Sequence, residues 1–206
     1  GMNVTIPYKL EVFNFLDKID RKAQKIGAVN TIKISKKGKL KGFNTDYYGF
    51  KKSLKPLLKE HHNKALILGT GGASKAVAFA LENLIPKFSS AKAVAFALEN
   101  LGIKFKFVSR NPQRKNEISY QELSDKTLQK YSIIINCTPL GTHPNTENHP
   151  DIPYQLITSN HLLYDLIYNP SETTFLSKGK EKGATIKNGL EMLELQAEKA
   201  WSIWNK

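Results

Sequence analysis

The sequence predicts an α/β fold built on a parallel sheet, and three observations carry that prediction. Ala65-Leu66-Ile67-Leu68 is a short apolar run that breaks into Gly69-Thr70-Gly71-Gly72-Ala73-Ser74, then into Ala/Leu/Phe-rich sequence with good helix propensity. Lys104-Phe105-Lys106-Phe107-Val108 alternates as a strand and ends in Ser109-Arg110-Asn111. Two later apolar runs, at 132–138 and 162–169, also end in polar residues. Strands that begin apolar and stop at polar loops, with helical stretches between them, describe a sheet covered on both faces.

The glycine turn is the first half of a dinucleotide-binding βαβ unit of Rossmann type. Glycines let the backbone approach a pyrophosphate, which rests on the positive end of the following helix. Gly69, Thr70, Gly71, Gly72 and Ala73 are the candidate contacts, although Ala or Ser stands where the usual pattern has its third glycine. No Asp or Glu closes the second strand to accept from a ribose 2′-hydroxyl. Ser109, Arg110 and Arg114 stand there, and a guanidinium grips a 2′-phosphate bidentately, so the expected cofactor is NADP rather than NAD.

Bulk properties narrow the class. The 206 residues suffice for one large domain or two small ones. No apolar run approaches the ~20 residues of a membrane span, no signal-peptide pattern opens the sequence, and Cys137 is the lone cysteine, so a cytoplasmic setting is expected. A net charge of +13 raises a nucleic-acid reading. The lysines are spread along the chain without aromatic interleaving or a zinc pattern, so they read as solvated faces and an anion-attracting field. No metal site, nucleic acid or membrane partner is expected.

Taken in order, residues 3–6 read as a strand stopped by Pro7, leaving Tyr8 and Lys9 at a loop. Glu11 to Ile26 shows helical apolar spacing, closed by Gly27. Residues 28–34 alternate as a strand, 35–38 turn it, and 40–43 return as its hairpin partner. Asp46 stands where it can cap a helix over 47–58. Cys137 reads as a packing residue, and His143 and His149 as solvated loop histidines. Residues 174–182 suggest a helix ended by Gly183. In the final helix Leu190, Leu193, Ala197, Ala200 and Trp201 form the expected core stripe.

Several of these segments together resemble the shikimate dehydrogenase family. Gly1-Met2-Asn3-Val4-Thr5-Ile6-Pro7-Tyr8-Lys9 is similar to its G-x-N-V-T-x-P-x-K segment, Ala28-Val29-Asn30-Thr31 to A-x-N-T, and Asn44-Thr45-Asp46 to N-T-D. Asn136-Cys137-Thr138-Pro139-Leu140-Gly141 resembles N-x-T-x-x-G, with Thr142 where methionine is usual, and residues 165–170 resemble D-x-x-Y-x-P. The resemblance implies NADPH-dependent, reversible reduction of 3-dehydroshikimate to shikimate, in aromatic amino acid biosynthesis. It implies Lys9 and Asp46 as the catalytic pair, and Thr5, Asn30, Tyr168 and Gln196 at the substrate. It also implies Leu166 and the Gly189 backbone beside the nicotinamide. The implied organisation is a remainder of the substrate domain over 1–57, an NADP domain over 58–185, and a C-terminal helix over 186–206 packing back, in a monomer or homodimer.

Two departures from the family pattern set further expectations. The stretch from Lys75 to Leu84 recurs letter for letter from Lys92 to Leu101. Only one copy fits the crossover against the sheet. The first is expected there because its N-terminus meets the glycine turn, leaving the second to pack outside or mediate association through Val94, Phe96 and Leu98. The family also carries some 60 residues ahead of its N-V-T segment, with a Ser-x-Ser pair for the substrate carboxylate; the sequence lacks them. The alternative to an active enzyme is therefore an impaired NADP-binding fragment. A quinate/shikimate dehydrogenase using NAD fits the Arg110/Arg114 pair worse, and methylene-tetrahydrofolate dehydrogenases fit the N-V-T-x-P-x-K segment worse.

Overall fold

The computed structural model of the chain describes residues 1–5, 8–69 and 88–205. The first part builds a small sheet from β1 (Met2–Asn3), β2 (Lys18–Ile19), β3 (Thr31–Ile34) and β4 (Leu40–Phe43), in the order β1-β3-β4-β2. β3 and β4 form the expected hairpin, with Ile34 opposite Leu40 and Thr31 opposite Phe43. The helix expected over 11–26 is not continuous. Asp17 accepts from the Leu40 amide (2.7 Å) and β2 pairs in parallel with β4, while Asp20 accepts from the Lys22 amide and caps a shorter helix, α1 (Arg21–Ile26). The two aspartates divert the backbone to the sheet edge before the helical period resumes.

Helix α2 (Asp46–Leu54) leads into the large sheet of β5 (Lys64–Leu68), β6 (Lys104–Ser109), β7 (Glu117–Ser119), β8 (Ile133–Asn136), β9 (Leu162–Asp165) and β10 (Thr185–Lys187). All its pairings are parallel, in the order β10-β9-β8-β5-β6-β7. The chain starts at the centre with β5, steps outward to β7, then returns to fill the other side. That reversal puts a crevice beyond the carboxyl ends of β5 and β8, where doubly wound sheets bind ligands. Alternate residues serve two cores. Ala65 and Ile67 of β5 face the side of α2, and Leu66 and Leu68 face α4 (Asp125–Lys130) and α5 (Thr174–Glu181).

The crossover from β5 to β6 corrects the expectation about the duplicated stretch. The second copy lies in α3 (Phe88–Asn100), with Ala93, Val94, Ala97 and Leu98 all at 0% exposure against Ala65, Ile67, Ile133 and Ile135. Phe96 packs edge-on against Tyr47, at 5.3 Å between ring centroids, so the three residues assigned to association serve the core instead. The C-terminal join explains the outcome. Gly102 (φ +72) closes the helix, with its amide on the Glu99 carbonyl and the Ile103 amide on the Leu98 carbonyl, and β6 begins at once. The second copy reaches β6 through this three-residue connection, whereas the first would need a long return. The first copy lies outside the described residues.

The last helix, α6 (Leu190–Trp204), packs along α2. Its buried residues are Met192 and Ala200; Leu190, Ala197 and Trp201 are exposed, so the expected core stripe is displaced around the helix. Gly49 sets the approach, since a Cβ there would run into the Met192 carbonyl.

Candidate active site

Three segments of the small sheet region converge at the base of α2. The Thr5 carbonyl accepts from the Tyr8 amide, turning the chain after β1, and the Lys9 carbonyl accepts from Val29. The Lys9 ammonium donates to Asp46 Oδ2 at 2.8 Å, with side-chain exposures of 12% and 3%. Asn30 Nδ2 donates to Asp46 Oδ1 (2.8 Å) and Thr45 Oγ1 (3.0 Å), and stands 3.3 Å from Gln196 Oε1. Asn30 Oδ1 in turn accepts from the Thr45 amide (2.8 Å) and the Thr31 hydroxyl (3.0 Å).

Asp46 therefore does not cap α2. It is the first residue of the helix, with its carboxylate turned inward; the Tyr47 amide bonds to Asn44 Oδ1 instead. The cation, the carboxylate and the neutral amides meet in one place although they come from residues 9, 30, 46 and 196. Thr5 is exposed close by in sequence, and Tyr168 is 48% exposed beyond β9.

The second cluster lines the carboxyl edge of the large sheet. Gly69 ends β5 at φ +94, its amide on the Val108 carbonyl, and a Cβ there would stand 2.8 Å from Thr138 Cγ2. Ser109 ends β6 buried, accepting from the Asn111 amide at 3.2 Å, and Arg110 follows exposed. Arg114, on the next turn, lies 3.8 Å from Glu117. A left-handed glycine beside a tight wall, then a guanidinium at the end of the neighbouring strand, fits a dinucleotide whose far phosphate lies over β6. Thr70, Gly71, Gly72 and Ala73 lie outside the described residues.

A polar network whose members the sequence showed only as motif letters sits at the carboxyl ends of β8 and β9. Asp165, at the end of β9 and 0% exposed, accepts from Asn136 Nδ2 (3.1 Å), the Ile167 amide (3.0 Å) and the Thr173 hydroxyl (2.6 Å). Burial raises its carboxyl to about 6, against the pull of those three donors. Asn136 Oδ1 accepts from the Thr138 amide and hydroxyl. The available signal was an aspartate closing a wholly apolar run, where charge is costly unless satisfied. Cys137 is buried, and burial pushes its thiol well up, which agrees with a packing role. No group of His, Cys, Asp and Glu among the described residues has metal-binding geometry, and no helix there is long and apolar enough to cross a membrane.

Residues 1–32 match the model of the shikimate dehydrogenase substrate binding domain. Over 99% of its length the chain is 42% identical to the shikimate dehydrogenase (NADP(+)) of Methanococcus maripaludis, taking in 72% of that protein. The chain belongs to the shikimate dehydrogenase family. Among solved members, the chorismate mutase/shikimate 5-dehydrogenase fusion protein from Clostridium acetobutylicum superposes with a TM-score of 0.81 at 40% identity, covering all of this chain and 70% of that one. The Thermus thermophilus enzyme, solved in complex with NADP(H) and shikimate, superposes at 0.79 with 30% identity, over 98% of this chain and 71% of that one. The Lys9–Asp46 pair and the carboxyl edge of the large sheet thus sit on a shikimate dehydrogenase framework.

Proposed function

We propose that the chain catalyses the reversible, NADPH-dependent reduction of 3-dehydroshikimate to shikimate, with Lys9 and Asp46 as its catalytic pair. The observation that carries this reading is the ammonium–carboxylate contact at 2.8 Å, almost closed to solvent, inside the family's fold. Reducing a ketone requires a hydride at carbon and a proton at oxygen. NADPH, when bound, supplies the hydride. Lys9 Nζ spends one of its three donors on Asp46, and the others are available to the carbonyl oxygen, which takes its proton there as negative charge develops. Asp46 holds the ammonium in place, and Asn30 fixes the carboxylate through its other oxygen.

Thr5 and Asn30 are assigned to the substrate's hydroxyl groups, and Tyr168 and Gln196 also to the substrate. Gly69 through Ala73, Ser109, Arg110 and Arg114 are assigned to the adenosine phosphates, and Leu166 and Gly189 to the nicotinamide. Residues 1–57 with α6 act as the substrate unit and 58–185 as the cofactor unit. The working form is a cytoplasmic monomer or homodimer.

Titrating the purified chain with NADPH by fluorescence, then adding 3-dehydroshikimate, tests the reading. Binding followed by oxidation is expected; binding without oxidation would leave a cofactor-binding fragment. In the same assay Arg110→Asp should weaken NADPH about tenfold or more while leaving NADH nearly unchanged, and an equal effect on both would remove the 2′-phosphate assignment.

A further inference from the structure

We propose that Asp165 is a positioning residue for the nicotinamide end of the site, tying the loops after β8 and β9 to each other and to the end of β5 as one rigid wall. The proposal rests on the functional reading above and deepens it. The wall is built from the end of β5 and the loops that leave β8 and β9. The Asp165 carboxylate takes the Ile167 amide and the Thr173 hydroxyl from the loop after β9, and Asn136 Nδ2 from the end of β8. Asn136 holds Thr138 by amide and hydroxyl, and the Thr138 methyl fills the space beside Gly69 at the end of β5.

The same loop after β9 is gripped from its other side. The Leu166 amide donates to the Asn136 carbonyl (3.1 Å), and the Gly189 amide to the Ile167 carbonyl (3.0 Å). A Cβ on Gly189 would run into the Leu166 carbonyl. The wall thus carries both residues assigned to the nicotinamide, Leu166 and Gly189, and Tyr168 lies one residue beyond Ile167.

Each group aimed at Asp165 is a donor, so only a side chain with two acceptor oxygens satisfies all of them. Thr173 also accepts from the Leu176 amide as the N-cap of α5, which occupies one of its two lone pairs. Asp165→Asn presents one amino group to these donors and loosens the wall without changing its volume. Loosening misplaces the hydride acceptor and donor relative to each other, which slows transfer far more than it weakens a cofactor held by its phosphates.

The test compares wild type, Asp165→Asn and Thr173→Val. For Asp165→Asn, turnover is expected to fall about tenfold to hundredfold, with the Kd for NADPH within about threefold and a larger primary isotope effect from nicotinamide-deuterated NADPH. In the cofactor-free protein, hydrogen exchange at the Ile167 and Gly189 amides should quicken about tenfold while the strands β5 and β8 stay protected. Thr173→Val should move each readout the same way by less, and Thr173→Ser should restore them. If Asp165→Asn does not fold, the two Thr173 variants decide. Unchanged turnover and isotope effect, or parallel loss of NADPH binding and protection throughout the sheet, would overturn the proposal. Should wild type bind NADPH without oxidising it, the functional reading fails, and amide exchange with the fluorescence lifetime of the bound nicotinamide decides the positioning role. A wild-type chain that binds no NADPH sinks both.

Discussion

Asp46 and Asp165 are both buried carboxylates, and the fold treats them in opposite ways. Asp46 is matched by a cation, Lys9, whose ammonium keeps a path to solvent; Asp165 is met by an amide side chain, a backbone amide and a hydroxyl, all neutral. The first arrangement neutralises a buried charge with a partner that is itself 12% exposed. The second ties loops together at the cost of desolvating a charge, which is why its carboxyl rises to about 6. Burial alone therefore does not separate chemistry from scaffolding; the partner does.

The largest effect comes from removing the cation. Lys9→Ala should lower turnover by roughly 10²–10⁴-fold, the usual range for a lost acid–base group, with NADPH affinity within about threefold. Steady-state kinetics beside a fluorescence titration checks this, and equal loss of both would make Lys9 a structural residue. Asn30→Ala blurs the contrast by weakening Asp46 from within. It strips an acceptor from the buried Thr45 amide and a donor from Asp46 Oδ1, so about 2 kcal/mol of stability should go, with roughly tenfold of turnover. A urea midpoint equal to that of Lys9→Ala would contradict it.

The smallest effect is electrostatic. Because Asp165 holds its proton more tightly when folded (about 6 against an ordinary 3.8), the folded state binds more protons in that window. Its contribution to stability is fully present below about pH 4 and is lost as pH rises through 6, about 1 kcal/mol between pH 5 and pH 7. Asp165→Asn lacks this component. Urea denaturation of both proteins across that range should show the wild-type advantage shrinking as pH rises, and a constant difference would place the titration elsewhere.

Strands β5, β8 and β9 were legible because they are buried on both faces, so their letters run apolar until the loop, and β6 showed through its alternation; the short, half-exposed β7 and β10 gave no such signal. Lys9, Asn30, Asp46 and Gln196 were legible only as motif letters. Spacing in sequence says nothing of four residues brought together by α2 and α6, and local rules gave Asp46 a capping role that the Asn44 side chain takes. The 11–26 stretch misled because a helical period shared by two short elements looks like one helix until Asp17 and Asp20 find their partners. The final helix misled through phase: Gly49 fixes which side touches α2, and that constraint lies outside the helix. Asp165 was legible only as a motif letter, without a role, because a carboxylate's neighbours, not its own position, decide its work.

Helix α3 carries a consequence at the level of editing the chain. Since the stretches 75–84 and 92–101 are identical, deleting residues 75–91 or residues 85–101 yields one and the same polypeptide. In it Ser74 runs straight into Lys-Ala-Val-Ala-Phe-Ala-Leu-Glu-Asn-Leu, and that decapeptide runs straight into Gly102. In the shortened chain that decapeptide brings to the sheet the same row of alanine, valine and leucine that residues 93–98 bring now. The question of which copy is original has no meaning for the shortened product. In sequence the two copies are interchangeable parts.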